Sequence, residues 1–300
     1  MNLNKLQQKT IPLVFATDNN YFPYMAVSIQ SVMENADPEQ NFSIYVLCQT
    51  LSDDYKYLLQ KNILVFQNFS ITYIDVTDYF INYSDLNISK YTITALFRLL
   101  IPDIFRENKY VLWMDVDTIC RSNIADLYDK IDENCMLKCV KDIGTLSLLR
   151  RHPKKIGLNR YHKYFSTGVL VFNIELFRKQ VTFKQMMQLC EEKKFPYPDQ
   201  DLLNILCENN VQYTSMDWNV MCCNCRAYQN PKIIHYVWDK PWKSFYKTKR
   251  GDYFWNYAKK TNFYDIIVNK SKKKNLKDGI TLMKYWIITI FAKIMIKNVN

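Results

Sequence analysis

Apolar runs and helically spaced apolar positions alternate along the first half of the chain. Ile11–Ala16 is an unbroken apolar run of strand length, and Phe22–Met33 places Met25, Ile29, Val32 and Met33 at helical spacing. Phe42–Cys48 reads as a strand and Ser52–Val65 as a helix with Ser52 as its cap. Ile71–Val76 is a third strand. Ile93–Leu100 is an apolar helix around Arg98 that Pro102 should end. Tyr110–Met114 is a fourth strand. The second half is less regular: Met136–Val140, Gly168–Phe172 and Ile233–Val237 read as strands, Phe183–Glu192 and Gln200–Glu208 as helices. Strands that alternate with helices predict an α/β fold, with a mostly parallel twisted central sheet flanked by helices on both faces.

Composition agrees with a packed enzyme-sized domain. The chain has 300 residues, 48% of them apolar and 15% aromatic, with five glycines, the opposite of a disordered chain. Nine cysteines show no secreted-framework spacing, and the apolar run after the polar N-terminus is too short for a signal peptide. The expectation is a reduced, cytoplasmic protein. Cys222-Cys223-Asn224-Cys225 lacks the paired spacing of a zinc site, and Cys135 with Cys139 is only a loose complement.

Charge is distributed unevenly. Residues 240–300 carry fifteen Lys/Arg and three Asp, whereas the other residues carry 25 basic and 26 acidic side chains. A neutral body with a basic tail predicts an anionic partner for the tail and argues against a nucleic-acid-binding body. Asn269–Lys277 forms a Lys-rich break, which divides the chain into a catalytic unit, 1–268, and a tail, 269–300. In Ile280–Lys297 the residues Thr289, Lys293 and Lys297 share one helical face, and most other positions are apolar, including Tyr285, Trp286, Ile287, Ile290, Phe291, Ile294 and Ile296. Its longest uncharged stretch, Tyr285–Ala292, is far too short to span a bilayer. The segment fits a basic amphipathic helix lying on an anionic membrane surface, or a terminal helix docked on the body.

Candidate chemistry collects at strand ends. Asp115-Val116-Asp117 follows the apolar Val111–Met114; residues i and i+2 of an extended chain point the same way, so both carboxylates can face one ion, although a solvated loop reads the same. His235, one of three histidines, lies in an apolar run and is either a core residue or a ligand that completes a set suited to Mn²⁺; Lys240 follows, placed to meet a phosphate. Asp18-Asn19-Asn20-Tyr21 after the first strand either meets a nucleobase or makes a turn. Pro198-Asp199-Gln200-Asp201 either caps a helix or holds sugar hydroxyls. There is no GxGxxG and no Walker loop, so a bound diphosphate would need a cation and basic side chains in place of a glycine cradle.

Taken in order, Phe15–Tyr21, Phe97-Arg98-Leu99, Val111–Asp117, Tyr164–Leu170, Asp199–Asn204, His235-Tyr236 and Lys240-Pro241-Trp242 resemble the retaining glycosyltransferases of the glycogenin and bacterial lipopolysaccharide galactosyltransferase family. The resemblance covers residues 11 to 245 and implies a GT-A fold and a UDP-sugar donor, UDP-galactose or UDP-glucose. It implies Mn²⁺ (or Mg²⁺) on Asp115, Asp117 and His235, uridine against Ala16, Asp18, Asn20 and Asp115, and the diphosphate on Lys240. Arg98, Asp142, Ser166, Asp199 and Gln200 would line the sugar, with Gln200, Asp199 and Asp142 as the catalytic group.

The implied function is transfer of a hexose to an oligosaccharide, lipid-linked or glycoprotein acceptor in bacterial surface glycan synthesis, at the inner face of the cell membrane. Two departures stand out: Ser166 where the family usually carries Asn, and a short Val237-Trp238-Asp239 run before Lys240 where it often carries Gly. They support one alternative, a nucleotide-sugar-binding protein with impaired catalysis.

Overall fold

The computed structural model describes residues 10–83, 86, 92–129, 131–143, 152–158, 163–221, 228–237, 239–243, 248 and 250–272. A seven-stranded sheet runs β3-β2-β1-β4-β7-β6-β8. Its strands are β1 (Ile11–Ala16), β2 (Phe42–Cys48), β3 (Phe69–Asp75), β4 (Tyr110–Met114), β6 (Leu137–Lys141), β7 (Phe165–Asn173) and β8 (Val211–Tyr213). The β1–β2, β2–β3, β1–β4 and β6–β8 pairs are parallel, and β7 runs antiparallel to both β4 and β6. A smaller sheet joins β5 (Thr118–Cys120), β10 (Ile233–His235) and β9 (Val220–Met221).

Alternation along the buried strands builds two cores. Leu13, Phe15, Leu112, Met114, Val169 and Val171 face one side, against Phe22, Met25 and Ile29 of helix α1 (Phe22–Asn35), Leu59 of α2 (Asp53–Ile63), and Phe254 of a helix at Gly251–Ala258. Val14, Ala16, Val111, Trp113, Leu170 and Phe172 face the other. There they meet Met186 and Met187 of α4 (Phe183–Glu192) and Leu202 and Leu203 of α5 (Pro198–Cys207), with α3 (Ile174–Gln180) alongside. A sheet buried on both faces explains why its strands read as continuous apolar runs.

Three local expectations change. Ile93–Leu100 is a 3-10 helix, and Pro102 does not end it: Pro102 sits in the first turn of a helical segment at Ile101–Ile104, where a missing N–H costs nothing. Ser52 precedes α2, but its side chain makes no cap; its backbone N–H donates to Asn19 Oδ1 at 2.8 Å. β7 extends three residues further toward the N-terminus than its apolar stretch suggests. Residues 264–272 are helical. The Cys222-Cys223-Asn224-Cys225 cluster, Trp238 and the amphipathic stretch at 280–297 lie outside the described residues.

Candidate active site

Topology brings the site together. β1 and β4 are parallel, so their carboxyl ends, Ala16 and Met114, lie at the same edge of the sheet. β7 runs the other way, so its start meets the end of β4: Met114 pairs with Val169, and the Asp115 N–H donates to the Gly168 carbonyl at 2.8 Å. β6 delivers Asp142 to this edge, where its N–H donates to the Tyr164 carbonyl at 3.0 Å. The small sheet delivers His235: it pairs with Thr118, and the Tyr236 N–H donates to the Asp117 carbonyl at 2.9 Å.

A cavity of about 430 Å³ opens here, large enough for a small-molecule substrate. Ala16, Asp18, Arg98, Asp115, Asp117, Asp142, Ser166, Asp199, Gln200, His235 and Lys240 all line it. Asn20 does not; it is exposed on the loop between β1 and α1. Asp18 accepts the Tyr21 N–H at 2.8 Å in the turn before α1 while facing the cavity.

Asp115 and Asp117 converge on His235, but not by extended geometry. The chain turns at Val116-Asp117, and the Thr118 hydroxyl closes that turn on the Asp115 carbonyl at 2.7 Å. His235 Nε2 then lies 3.6 Å from Asp115 Oδ2 and 3.2 Å from Asp117 Oδ1. Among the described residues these three form the one group of His, Cys, Asp or Glu whose ligand atoms all fall within 4.8 Å of one another. Two carboxylates and one imidazole suit a divalent ion such as Mn²⁺, so the residues fit the cation that the sequence implies.

Each side chain is held by its other atoms. Asp115 Oδ1 accepts from Arg98 Nη2 at 2.8 Å and from Trp113 Nε1 at 3.0 Å, which leaves Oδ2 toward His235. Burial pushes Asp115 up, against the pull of Arg98 and His235. Burial would also raise Asp117, yet Lys240 and His235 together hold it below the usual carboxylate range, with Lys240 Nζ bonded to its Oδ2. Gly168 makes room for the ring: a Cβ there would fall on His235 and stand 3.2 Å from Asp115 Oδ2.

The residues expected to line the sugar form a second chain of contacts. Arg98 Nη1 donates to the Thr167 carbonyl at 2.6 Å and pairs with Asp199 Oδ2 at 3.1 Å. The Thr167 hydroxyl donates to Asp199 at 2.8 Å, and its N–H donates to Gln200 Oε1 at 3.2 Å. Gln200 Nε2 donates to Asp142 Oδ2 at 2.9 Å. Asp201 points away into the interior, fully buried, and accepts from Tyr164 Oη at 2.6 Å, His152 Nε2 at 2.7 Å and the Tyr197 N–H at 3.0 Å. Pro198–Asp201 thus divides its work: Pro198 opens α5, Asp199 and Gln200 face the cavity, and Asp201 anchors the turn.

Sequence reasoning gave no role to Trp113, Thr167, Gly168, Asn219 or the Asp201 anchor. Gly168 carried a legible signal, a glycine inside a buried strand of a glycine-poor chain. Asn219 carried none, because it acts through a contact that only the fold creates, and Trp113 was hidden in an apolar run although it bonds Asp115 two residues on.

Comparison with known proteins places this geometry. The chain is 24% identical over 213 residues to a Haemophilus influenzae protein described as a glycosyltransferase, of which it spans 63%. It is 22% identical over 289 residues to an Escherichia coli lipopolysaccharide 1,2-glucosyltransferase, covering 90% of this chain and 84% of that protein. Among solved structures, the galactosyltransferase LgtC, determined in complex with donor and acceptor sugar analogs, superposes with a TM-score of 0.73 at 25% identity, over 84% of this chain and 96% of LgtC. The model of glycosyl transferase family 8 matches residues 12–245. With the family's model running from the second residue of β1 to just past Lys240, the chain belongs to glycosyl transferase family 8 and has the GT-A fold.

Proposed function

We propose that this glycosyltransferase is metal-dependent and retaining, and moves galactose or glucose from the UDP-sugar to a glycan acceptor in bacterial surface polysaccharide, lipopolysaccharide or glycoprotein synthesis. One observation carries the reading: Asp115, Asp117 and His235 converge in the same cavity as Arg98, Asp142, Asp199 and Gln200, with Lys240 beside them. The likeness to lipopolysaccharide sugar transferases supports the substrate class.

Asp115 Oδ2, Asp117 and His235 Nε2 would hold Mn²⁺ or Mg²⁺, which supplies Lewis-acid stabilisation of the charge that grows on the departing diphosphate. Lys240, now on Asp117, is placed to turn to a phosphate oxygen and add to that stabilisation. Ala16 and Asp18 at the end of β1 line the uridine end. Arg98 and Asp199 fix the sugar end; Arg98 is buried and forked between two carboxylates, so it is preorganised before substrate arrives. Gln200 reaches the anomeric side with its amide committed to Asp142 and Thr167, which favours steadying an oxocarbenium-like state over nucleophilic attack. The departing phosphate can accept the acceptor's proton.

We assign residues 1–268 to catalysis and 269–300 to attachment at the inner face of the cell membrane. The reading rests on the basic, amphipathic tail sequence. No helix among the described residues is long and apolar enough to cross a membrane.

The test is UDP release from a panel of UDP-sugars, with Mn²⁺ and with EDTA, followed by anomeric analysis of the product. Metal-dependent release with a retained linkage is expected. An inverted linkage contradicts the mechanism, and binding without release in either condition supports the impaired binding protein instead.

A further inference from the structure

The imidazole that faces the two carboxylates is held from behind by an amide. Asn219 ends the turn Met216–Asn219, and the next residues, Val220 and Met221, pair with Ile234 and His235 in parallel register. Asn219 is 1% exposed and His235 4%, so neither side chain exchanges its partner for water. Asn219 Oδ1 lies 2.9 Å from His235 Nδ1, and a carbonyl oxygen can only accept, so the imidazole donates from Nδ1. The other end of the amide donates to Ser166 Oγ at 3.0 Å, an oxygen that also accepts the Gly168 N–H at 3.4 Å.

A neutral imidazole carries one ring proton. With that proton held on Nδ1, Nε2 keeps its lone pair, and Nε2 is the atom that points at Asp115 and Asp117. With the amide turned over, the proton would move to Nε2 and stand between the ring and any ion. We propose that Asn219 is a positioning residue for the metal centre: it fixes His235 in the Nδ1–H tautomer and in its ring orientation, and Ser166 in turn fixes Asn219. Outer-shell partners of ligating histidines act this way in metal sites generally, and their loss costs about 10–100-fold in metal affinity. The inference rests on the metal-binding reading proposed above and adds that the histidine's fitness as a ligand depends on a residue outside the cavity lining.

The experiment measures Mn²⁺ affinity of the full chain from the electron paramagnetic resonance signal of free Mn²⁺, for wild type, Asn219→Ala, Asn219→Asp and His235→Ala. It also reads the His235 tautomer by nitrogen-15 NMR with Mg²⁺ as the diamagnetic probe, His235 being identified among the three histidines by its loss in His235→Ala. Asn219→Ala is expected to weaken Mn²⁺ binding about 10–100-fold and to lose the fixed Nδ1–H form. Asn219→Asp, whose carboxylate still accepts from Nδ1, is expected to restore affinity to within a few fold and to keep the tautomer. Recovery by the aspartate separates positioning from general damage to the fold. Wild-type affinity in Asn219→Ala, alongside loss in His235→Ala, overturns the inference and leaves the metal reading standing. So does a proton found on Nε2 of the wild type. Absence of Mn²⁺ binding by the wild type overturns both.

Discussion

His235 occupies the space that a side chain on Gly168 would need. The two residues lie on different sheets, and their contact is what lets the imidazole reach the carboxylates at the end of β4. Gly168→Ala is therefore a specific probe. Alanine in a strand is ordinarily more stable than glycine, so any loss must come from what the new Cβ displaces, the His235 ring and, at 3.2 Å, Asp115 Oδ2. The expected result is a folded protein whose Mn²⁺ affinity by calorimetry falls by roughly 10-fold or more, on the scale of a disturbed ligand shell. Unchanged affinity would mean that His235 is not held by this contact.

Arg98 ties Asp115 to Asp199, with Asp115 on one terminal nitrogen and Asp199 on the other. Removing it leaves two carboxylates in a poorly solvated site without their shared counter-charge. Arg98→Ala is expected to cost about 3 kcal/mol in urea unfolding. Arg98→Lys should recover part of the stability but little of the transfer rate, because one ammonium cannot reproduce the fork. Equal rates for Lys and Arg would refute the bridging role.

Asp201 is a third point of strain if altered. Its substitution by Ala strands the Tyr164 hydroxyl, His152 Nε2 and the Tyr197 N–H in the interior. A loss of about 2–4 kcal/mol is expected, read as a lower melting temperature. Turnover should fall as well, since the Asp199-Gln200 turn loses its anchor. Mn²⁺ affinity should stay within about two-fold of wild type, because the anchor touches none of Asp115, Asp117 or His235; a loss there comparable to that of Gly168→Ala would show the two networks to be one.

The tail can be tested apart from the chemistry. Deleting residues 273–300 should abolish co-sedimentation with anionic vesicles and leave binding to neutral vesicles and UDP release unchanged, since the described residues that line the cavity run from Ala16 to Lys240. Retained binding to anionic vesicles would place the membrane contact elsewhere.

What was readable in the chain follows from local physics. β1, β2 and β4 stand at the bounds their apolar runs suggest, and α4 at those of its helical pattern, because a fully buried strand or a half-buried helix writes its surroundings into consecutive residues. The small sheet of β5, β9 and β10 was only partly visible, since strands of two or three residues carry no period. The Asp115-Val116-Asp117 motif was visible through residue type, yet the reason for its convergence was not: a turn closed by Thr118, where an extended chain was expected, aims both carboxylates. Asn219 acts through a partner on another element, His235, so no local pattern could mark it, whereas Trp113 bonds Asp115 two residues on and was hidden in an apolar run.

In the proposed mechanism Asp115 presents a charged oxygen to a divalent ion that the transfer reaction requires. In Asp115→Asn the oxygen facing Arg98 and Trp113 can be kept while the charge toward His235 is lost, so the fold should survive. The decisive measurement is the rate of UDP release from the preferred UDP-sugar by this variant and by wild type across a Mn²⁺ titration. A fall of at least about 100-fold at every Mn²⁺ concentration, with an unchanged melting temperature, is the predicted result. A variant that releases UDP at the wild-type rate and with the wild-type Mn²⁺ dependence would contradict the account.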